Sequence, residues 1–185
     1  MREQSIRRIF TSLLGVVVAR AVFMGINPFA IGYLAVLFME PKGRILAMVM
    51  VALGVITSMG TEGMIKYLIA IIVFSIIVSM IEYRSKKITI WAMSGLAAGV
   101  TVILTCFYST LSDNFWNNVV MGLAEGIIVF VSALVFHKGL EPVFHARMKG
   151  EALSNEEIIG LATIGGVIIY GIPDMNSLGF SLPLT

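Results

Sequence analysis

The sequence predicts an all-α fold, a polytopic membrane helix bundle, and three observations carry that prediction. Of 185 residues, 58% are hydrophobic and only 13% charged, with a mean hydropathy of +0.94. A soluble domain carries about 25% charged residues, so this chain cannot cover itself with a solvated surface. Its apolar residues gather into about seven runs, and its basic residues fall between alternate runs. The lipid bilayer is therefore the expected surroundings of one helical domain over 1–173, followed by a tail over 174–185.

The first segment, about 9–25, carries Arg20 in an otherwise apolar stretch. An arginine inside a span costs at least ~2.5–3.5 kcal/mol on insertion scales and normally has a partner or reaches water. Two readings follow: Arg20 lies near a helix end and extends to the headgroups, or it forms a buried pair that locks two helices. Asn27-Pro28 marks a helix break, because proline lacks a backbone donor and disfavours helix at the residue before it. The second segment, 28–39, would be about 18 Å long as a helix, short against a hydrocarbon core of about 30 Å. The third, 44–59, is short too. The fourth (63–81), fifth (88–108) and sixth (115–136) are each long enough to cross. The seventh, 156–172, opens with Ser154-Asn155-Glu156-Glu157. Ser154 and Glu157 have the spacing of a capping box, in which each satisfies a backbone donor of the other.

The loops set the orientation. Arg2, Arg7 and Arg8 precede segment one; Lys42 and Arg44 lie between two and three; Arg84, Lys86 and Lys87 between four and five; Lys138, Arg147 and Lys149 between six and seven. These hold eleven of the thirteen basic residues, and the intervening connections hold Lys66 alone. Such alternation fits the positive-inside rule for seven crossings, with the N-terminus cytoplasmic and the end of the chain outside. It also requires the short second segment to cross. Trp116 and Phe115 suit the interfacial belt. The loop 138–153 has Leu140, Val143, Phe144 and Met148 at helical spacing, which reads as a surface amphipathic helix started by Pro142, or as an irregular loop. The tail, DMNSLGFSLPLT, stops without a clear architectural end, and truncation is expected.

Glu125 is the second intramembrane charge. It sits between Gly122 and Gly126, a small-xxx-small face that admits a close helix, and segment five has such a pair in Gly95 and Gly99. Segments five and six are expected to pack there. A lone carboxylate in a dry bundle needs a cation or donor to stay ionised. Arg20 is a candidate partner; a water-lined cavity or a protonated Glu125 bonded to a neighbouring helix are the alternatives. The lone Cys106 rules out an internal disulfide. His137 and His145 have no ligand at metal spacing, so no metal site is expected, and His137 suits the C-terminal end of a helix. No nucleotide loop, dinucleotide fingerprint or serine elbow is present. The scattered basic residues give no support to nucleic-acid binding.

Residues 15–34, with Ala19-Arg20-Ala21 and Asn27-Pro28-Phe29-Ala30, resemble the opening of the membrane region of the stage II sporulation protein E family. That region has an arginine-bearing first helix and a Pro-Phe-Gly or Pro-Phe-Ala entry to the second. The stretch SNEEIIGLATIGGVIIYG, 154–171, is similar to the family's later segment that opens with paired acids. The resemblance implies about ten membrane helices, a cytoplasmic central region and a metal-dependent serine phosphatase domain. That domain activates the forespore sigma factor at the asymmetric septum. No phosphatase motif occurs here, so no catalytic, cofactor-binding or metal-ligating residue is assigned, and no enzyme activity is expected of this chain. Three further crossings would bring a following domain into the cytoplasm. The expected role is a multi-pass anchoring and assembly module of the cell membrane, located by resemblance at the sporulation septum. Its expected partners are copies of itself or division-septum proteins. The alternative is a substrate-binding component of a vitamin-type uptake system, with Arg20, Asn27, Tyr33, Asn117, Asn118 and Glu125 lining its site.

Overall fold

The computed structural model describes residues 2–23, 26–84, 88–109, 115–145 and 153–171. Among them are seven helices and no named strand: α1 (Arg2–Val18), α2 (Pro28–Leu37), α3 (Arg44–Ser58), α4 (Thr61–Arg84), α5 (Ile90–Ser109), α6 (Phe115–His145) and α7 (Asn155–Gly171).

The short α2 is the core. Its sequence, PFAIGYLAVL, is apolar on every side, and every residue but Phe29 is buried. A helix without a polar face has to be enclosed, and α1, α3, α4, α5 and α6 all pack on it. Gly32 lets its backbone lie against α6, because a Cβ there would run into the Ser132 hydroxyl and come within 3.1 Å of the Val129 carbonyl. Tyr33 donates its hydroxyl to the Thr11 carbonyl of α1 at 2.9 Å. Its ring stands edge-on to Phe136 of α6 at 5.7 Å.

The bundle is apolar outside, and its largely apolar interior holds a minority of polar groups. Ile45 is 80% exposed and Trp116 77%, whereas Ser94, Thr101 and Glu125 are fully buried. Such a surface is wrong for water and right for lipid. The stretches Gly63–Glu82, Ile90–Phe107 and Trp116–Pro142 are long and apolar enough to cross a membrane, while α2 and α3 are shorter apolar helices. Buried hydroxyls are turned back onto their own helix: Ser94 bonds the Ile90 carbonyl (2.8 Å) and Thr101 the Ala97 carbonyl (2.9 Å).

Charge pairs close one end of the bundle. Arg8 Nε donates to Glu40 at 2.7 Å. Arg44 grips Glu82 through both terminal nitrogens, one of them at 2.6 Å. The same guanidinium donates to the Phe38 carbonyl (2.6 and 3.0 Å) and lies over the Phe38 ring, so one arginine joins the end of α2 to α3 and α4. A two-pronged arginine–carboxylate pair is among the stronger polar contacts.

Three expectations are corrected. The first segment is not 9–25: α1 ends at Val18, and Ala19-Arg20 close a tighter turn, with Arg20 N–H donating to Val17 and Ala21 N–H to Val18. Phe23 and Ile26 then exchange backbone bonds (2.8 and 3.0 Å), and Arg20 sits beyond the helix. The sixth segment does not stop at 136, and no new helix starts at Pro142. Instead α6 runs unbroken to His145 with Pro142 inside it. Packing overrides the proline here: Leu140 is buried, Lys138 reaches Glu141 (3.5 Å) and Glu156 (3.4 Å), and Gly139 meets Gly160 of α7. Residues 146–152 of that loop, and the tail over 174–185, lie outside the described residues. Finally, Gly95 and Gly99 face open space, with no atom within 4 Å of a Cβ position. The α5 side of the contact is Ala98, Val102 and Thr105, which pack on Gly122 and Gly126.

The meeting of α6 and α7 yields a test. A Cβ on Gly160 would lie 2.6 Å from the Gly139 Cα and 2.8 Å from the Val135 carbonyl, whereas Gly166 has nothing within 4 Å. Overpacking of this kind costs about 1–3 kcal/mol. Gly160→Val should lower the thermal midpoint in detergent by several degrees, and Gly166→Val should leave it within error.

Candidate functional site

The site forms where the break between α1 and α2 meets α4, α5 and α6. Asn27 is the N-cap of α2, and Pro28 is its first residue, where a missing N–H costs nothing. The Asn27 side chain works in both directions. Its Oδ1 accepts from the Ala30 N–H at 3.2 Å, and its Nδ2 donates to the Ala19 carbonyl at 2.6 Å, a carbonyl left over by the end of α1. The Ser58 hydroxyl of α3 shares that carbonyl at 3.3 Å. The backbone N–H of Asn27 donates to the Tyr67 hydroxyl of α4 at 2.6 Å.

Tyr67 passes the chain of bonds on by donating its hydroxyl to Glu125 Oε1. The other carboxylate oxygen, Oε2, accepts from Lys66 Nζ at 2.7 Å and from Thr105 Oγ1 of α5 at 2.8 Å. Lys66 Nζ also lies 4.8 Å from the centre of the Tyr67 ring, within range of cation–π attraction. Glu125 is fully buried, and the Lys66 side chain is 13% exposed. Ala19, Asn27, Ser58, Lys66, Tyr67, Thr105 and Glu125 thus connect six of the seven helices, α7 being outside the set.

The carboxylate pairs with Lys66; among the described residues no hydrogen bond or ion pair joins it to Arg20. Arg20 is half-buried in the turn after α1. The loop pattern counts Lys66 with the outer connections although the fourth segment, 63–81, contains it; in the structure α4 starts at Thr61 and Lys66 falls in its second turn. From there a flexible four-carbon stem carries the ammonium inward. The overlooked signal was that Lys66 is the one basic residue breaking the loop alternation. The structure brings Asn27 to Glu125 through Tyr67 but does not gather the other lining candidates. Tyr33 is turned to Thr11, Asn117 is exposed, and Asn118 is half-buried near the start of α6. At the start of α7, the Ser154 N–H donates to Glu157 (2.7 Å) and the Glu157 N–H to the Ser154 hydroxyl (3.2 Å). Among the described residues no group of three or more His, Cys, Asp or Glu could hold a metal ion.

Comparison with protein families finds one model, described as the SpoIIE N-terminal domain, that matches residues 3–183. The chain belongs to this family. Neither the curated proteins nor the solved structures provide a match. This SpoIIE N-terminal domain is a membrane protein, and no phosphatase domain is found in the chain. Its buried polar centre is chemically a clamp: each oxygen of the carboxylate meets a donor from another helix, and among the described residues Lys66 is the cation bound to it.

A buried ion pair adds little net stability over an apolar replacement, but removing one partner strands a charge at a cost of about 3–5 kcal/mol. Lys66→Met should therefore lower the unfolding midpoint strongly, and Lys66→Met with Glu125→Gln should recover most of the loss. If Lys66→Met alone melted like the unaltered chain, the pair would not be buried as described.

Proposed function

We propose that the chain is a membrane-anchoring and assembly module that localises a cytoplasmic signalling phosphatase of the SpoIIE type at the asymmetric division septum and does no chemistry itself. The supporting observation is that both oxygens of the buried Glu125 carboxylate are engaged by donors of its own chain. Those donors come from α4 and α5, so the group ties helices together. This inward engagement weighs against a vitamin-type uptake site, which needs polar groups that turn to a substrate. The basic connections face the cytoplasm in this reading, so Arg8–Glu40 and Arg44–Glu82 close the cytosolic end. Copies of this chain, or division-septum proteins, are the proposed partners, engaged through the apolar outer faces.

The test follows a fluorescent fusion of the chain through asymmetric division in a spore-forming bacterium, with compartment reporters fused after Lys87 and after Asp113. Fluorescence should concentrate severalfold at the polar septum, and the two reporters should lie on opposite sides, the first in the cytoplasm. A stable fusion spread evenly over the membrane would contradict the localising role, and reporters on one side would contradict the topology.

A further inference from the structure

Three helices stop partway through the bundle. The ion pairs Arg8–Glu40 and Arg44–Glu82 mark one headgroup level, and Trp116, 77% exposed at the start of α6, marks the other. From the first level, α1 rises about 15 Å between Arg8 and Val18, and α2 covers about 14 Å between Leu37 and Pro28. From the second, α6 descends about 14 Å between Trp116 and Glu125. Tyr67 joins Glu125 to Asn27, so the two distances meet, and together they fill a hydrocarbon core of about 30 Å. The break between α1 and α2 therefore lies near the middle of the bilayer. The end of α3 is at the same level, where the Ser58 hydroxyl meets the Ala19 carbonyl. Beyond that level α4 continues for about 8 Å, from Lys66 to Thr61, and α6 continues to Trp116.

Two features at this depth do not suit lipid. Residues 19–23 and 26–27 are not α-helical, and irregular backbone inside a membrane is tolerated only within protein or beside water. Ala19, Ala21 and Asn27 are buried, but Val22 is half-buried and Phe23 is 41% exposed. The second feature is Arg20. It is half-buried, and among the described residues no hydrogen bond or ion pair holds its guanidinium. A charge so deep requires a partner or water. Lys66 adds no net charge beside it, because Glu125 neutralises it.

We propose that water from the face marked by Trp116 fills a depression over α1, α2 and α3, reaching Arg20, whose unpaired charge draws small anions to the floor. The depression is walled on one side by α4 and α6. A charge at the bottom of such a recess acts strongly, because low-dielectric walls focus its field. The proposal goes beyond the anchoring role and holds for either orientation of the chain in the membrane.

The test is thiol labelling in sealed vesicles with two reagents that do not cross membranes, anionic sulfonatoethyl methanethiosulfonate and cationic trimethylammonioethyl methanethiosulfonate. Every variant also carries Cys106→Ser. Trp116→Cys reports the face, Val22→Cys and Ser58→Cys probe the depression, and Ile127→Cys, at a site 64% exposed near the depth of Glu125, probes lipid. Thiols react as thiolates, which lipid does not support. Val22→Cys and Ser58→Cys should react from the same side as Trp116→Cys, and Ile127→Cys at least about tenfold more slowly. Adding Arg20→Gln to Val22→Cys should lower the ratio of anionic to cationic rates several-fold, and adding Arg20→Lys should keep it. The proposal is overturned if neither probe reacts from that side, if Ile127→Cys reacts as fast, or if Arg20→Gln leaves the ratio unchanged. Labelling of Trp116→Cys and both probes from the cytoplasmic side would support the depression and contradict the orientation proposed above.

Discussion

A fully buried carboxylate must be neutralised or surrounded by donors, and Glu125 imposes that demand on its neighbours. The donors come from three side chains on two helices, and one of them, Tyr67, is itself held by the backbone of Asn27. Because Asn27 also caps α2 and catches the end of α1, the placement of one charge is transmitted to the break in the chain where the central helix begins. Apolar contacts alone would specify this less sharply. In lipid the hydrophobic effect does not separate one helix pairing from another, so close packing and polar contacts have to.

The same logic explains how so short a helix can occupy the middle. With its ten residues α2 is too short to span a hydrocarbon core of about 30 Å by itself. Enclosed by five other helices, it needs no lipid contact, and both ends are finished by polar groups: Asn27 at the start, the Arg44 guanidinium at the Phe38 carbonyl just past the end. Between these ends, Gly32 brings its backbone against α6 and the Tyr33–Phe136 contact fills the remaining space. Polar termini and a tightly packed apolar middle are what an enclosed half-length helix requires.

Composition and loop charge made the helical bundle legible, because a chain so poor in charge has few alternatives. Glu125 and Asn27-Pro28 also stood out, one as a charge among apolar residues, the other as a break with a local cause. The Ser154–Glu157 bonds need only four residues of sequence to be foreseen. Partnerships across the fold were not legible in this way. Arg20 drew attention because its neighbours are apolar, but its place beyond α1 depends on a turn that hydropathy does not mark. Lys66 stands near a segment boundary, where an error of a few residues decides between loop and span. Gly95 and Gly99 match a packing motif, yet the motif cannot tell which face of α5 meets α6. Pro142 shows the limit from the other side: a local helix breaker is tolerated once Leu140 is buried and Gly139 is pressed against α7.

The central claim is that Asn27 and Glu125, which do not touch, act as one unit through Tyr67. A double-mutant cycle measures this directly, using Asn27→Ala, Glu125→Gln and the combination, with reversible unfolding in detergent as the readout. Distant, unconnected sites add within about 0.3–0.5 kcal/mol, whereas members of one hydrogen-bond network couple by about 0.5–3 kcal/mol. Coupling clearly above the additive limit is the result expected here, and it should vanish when the cycle is repeated in a Tyr67→Phe background. Strict additivity in the chain with Tyr67 intact would contradict the account.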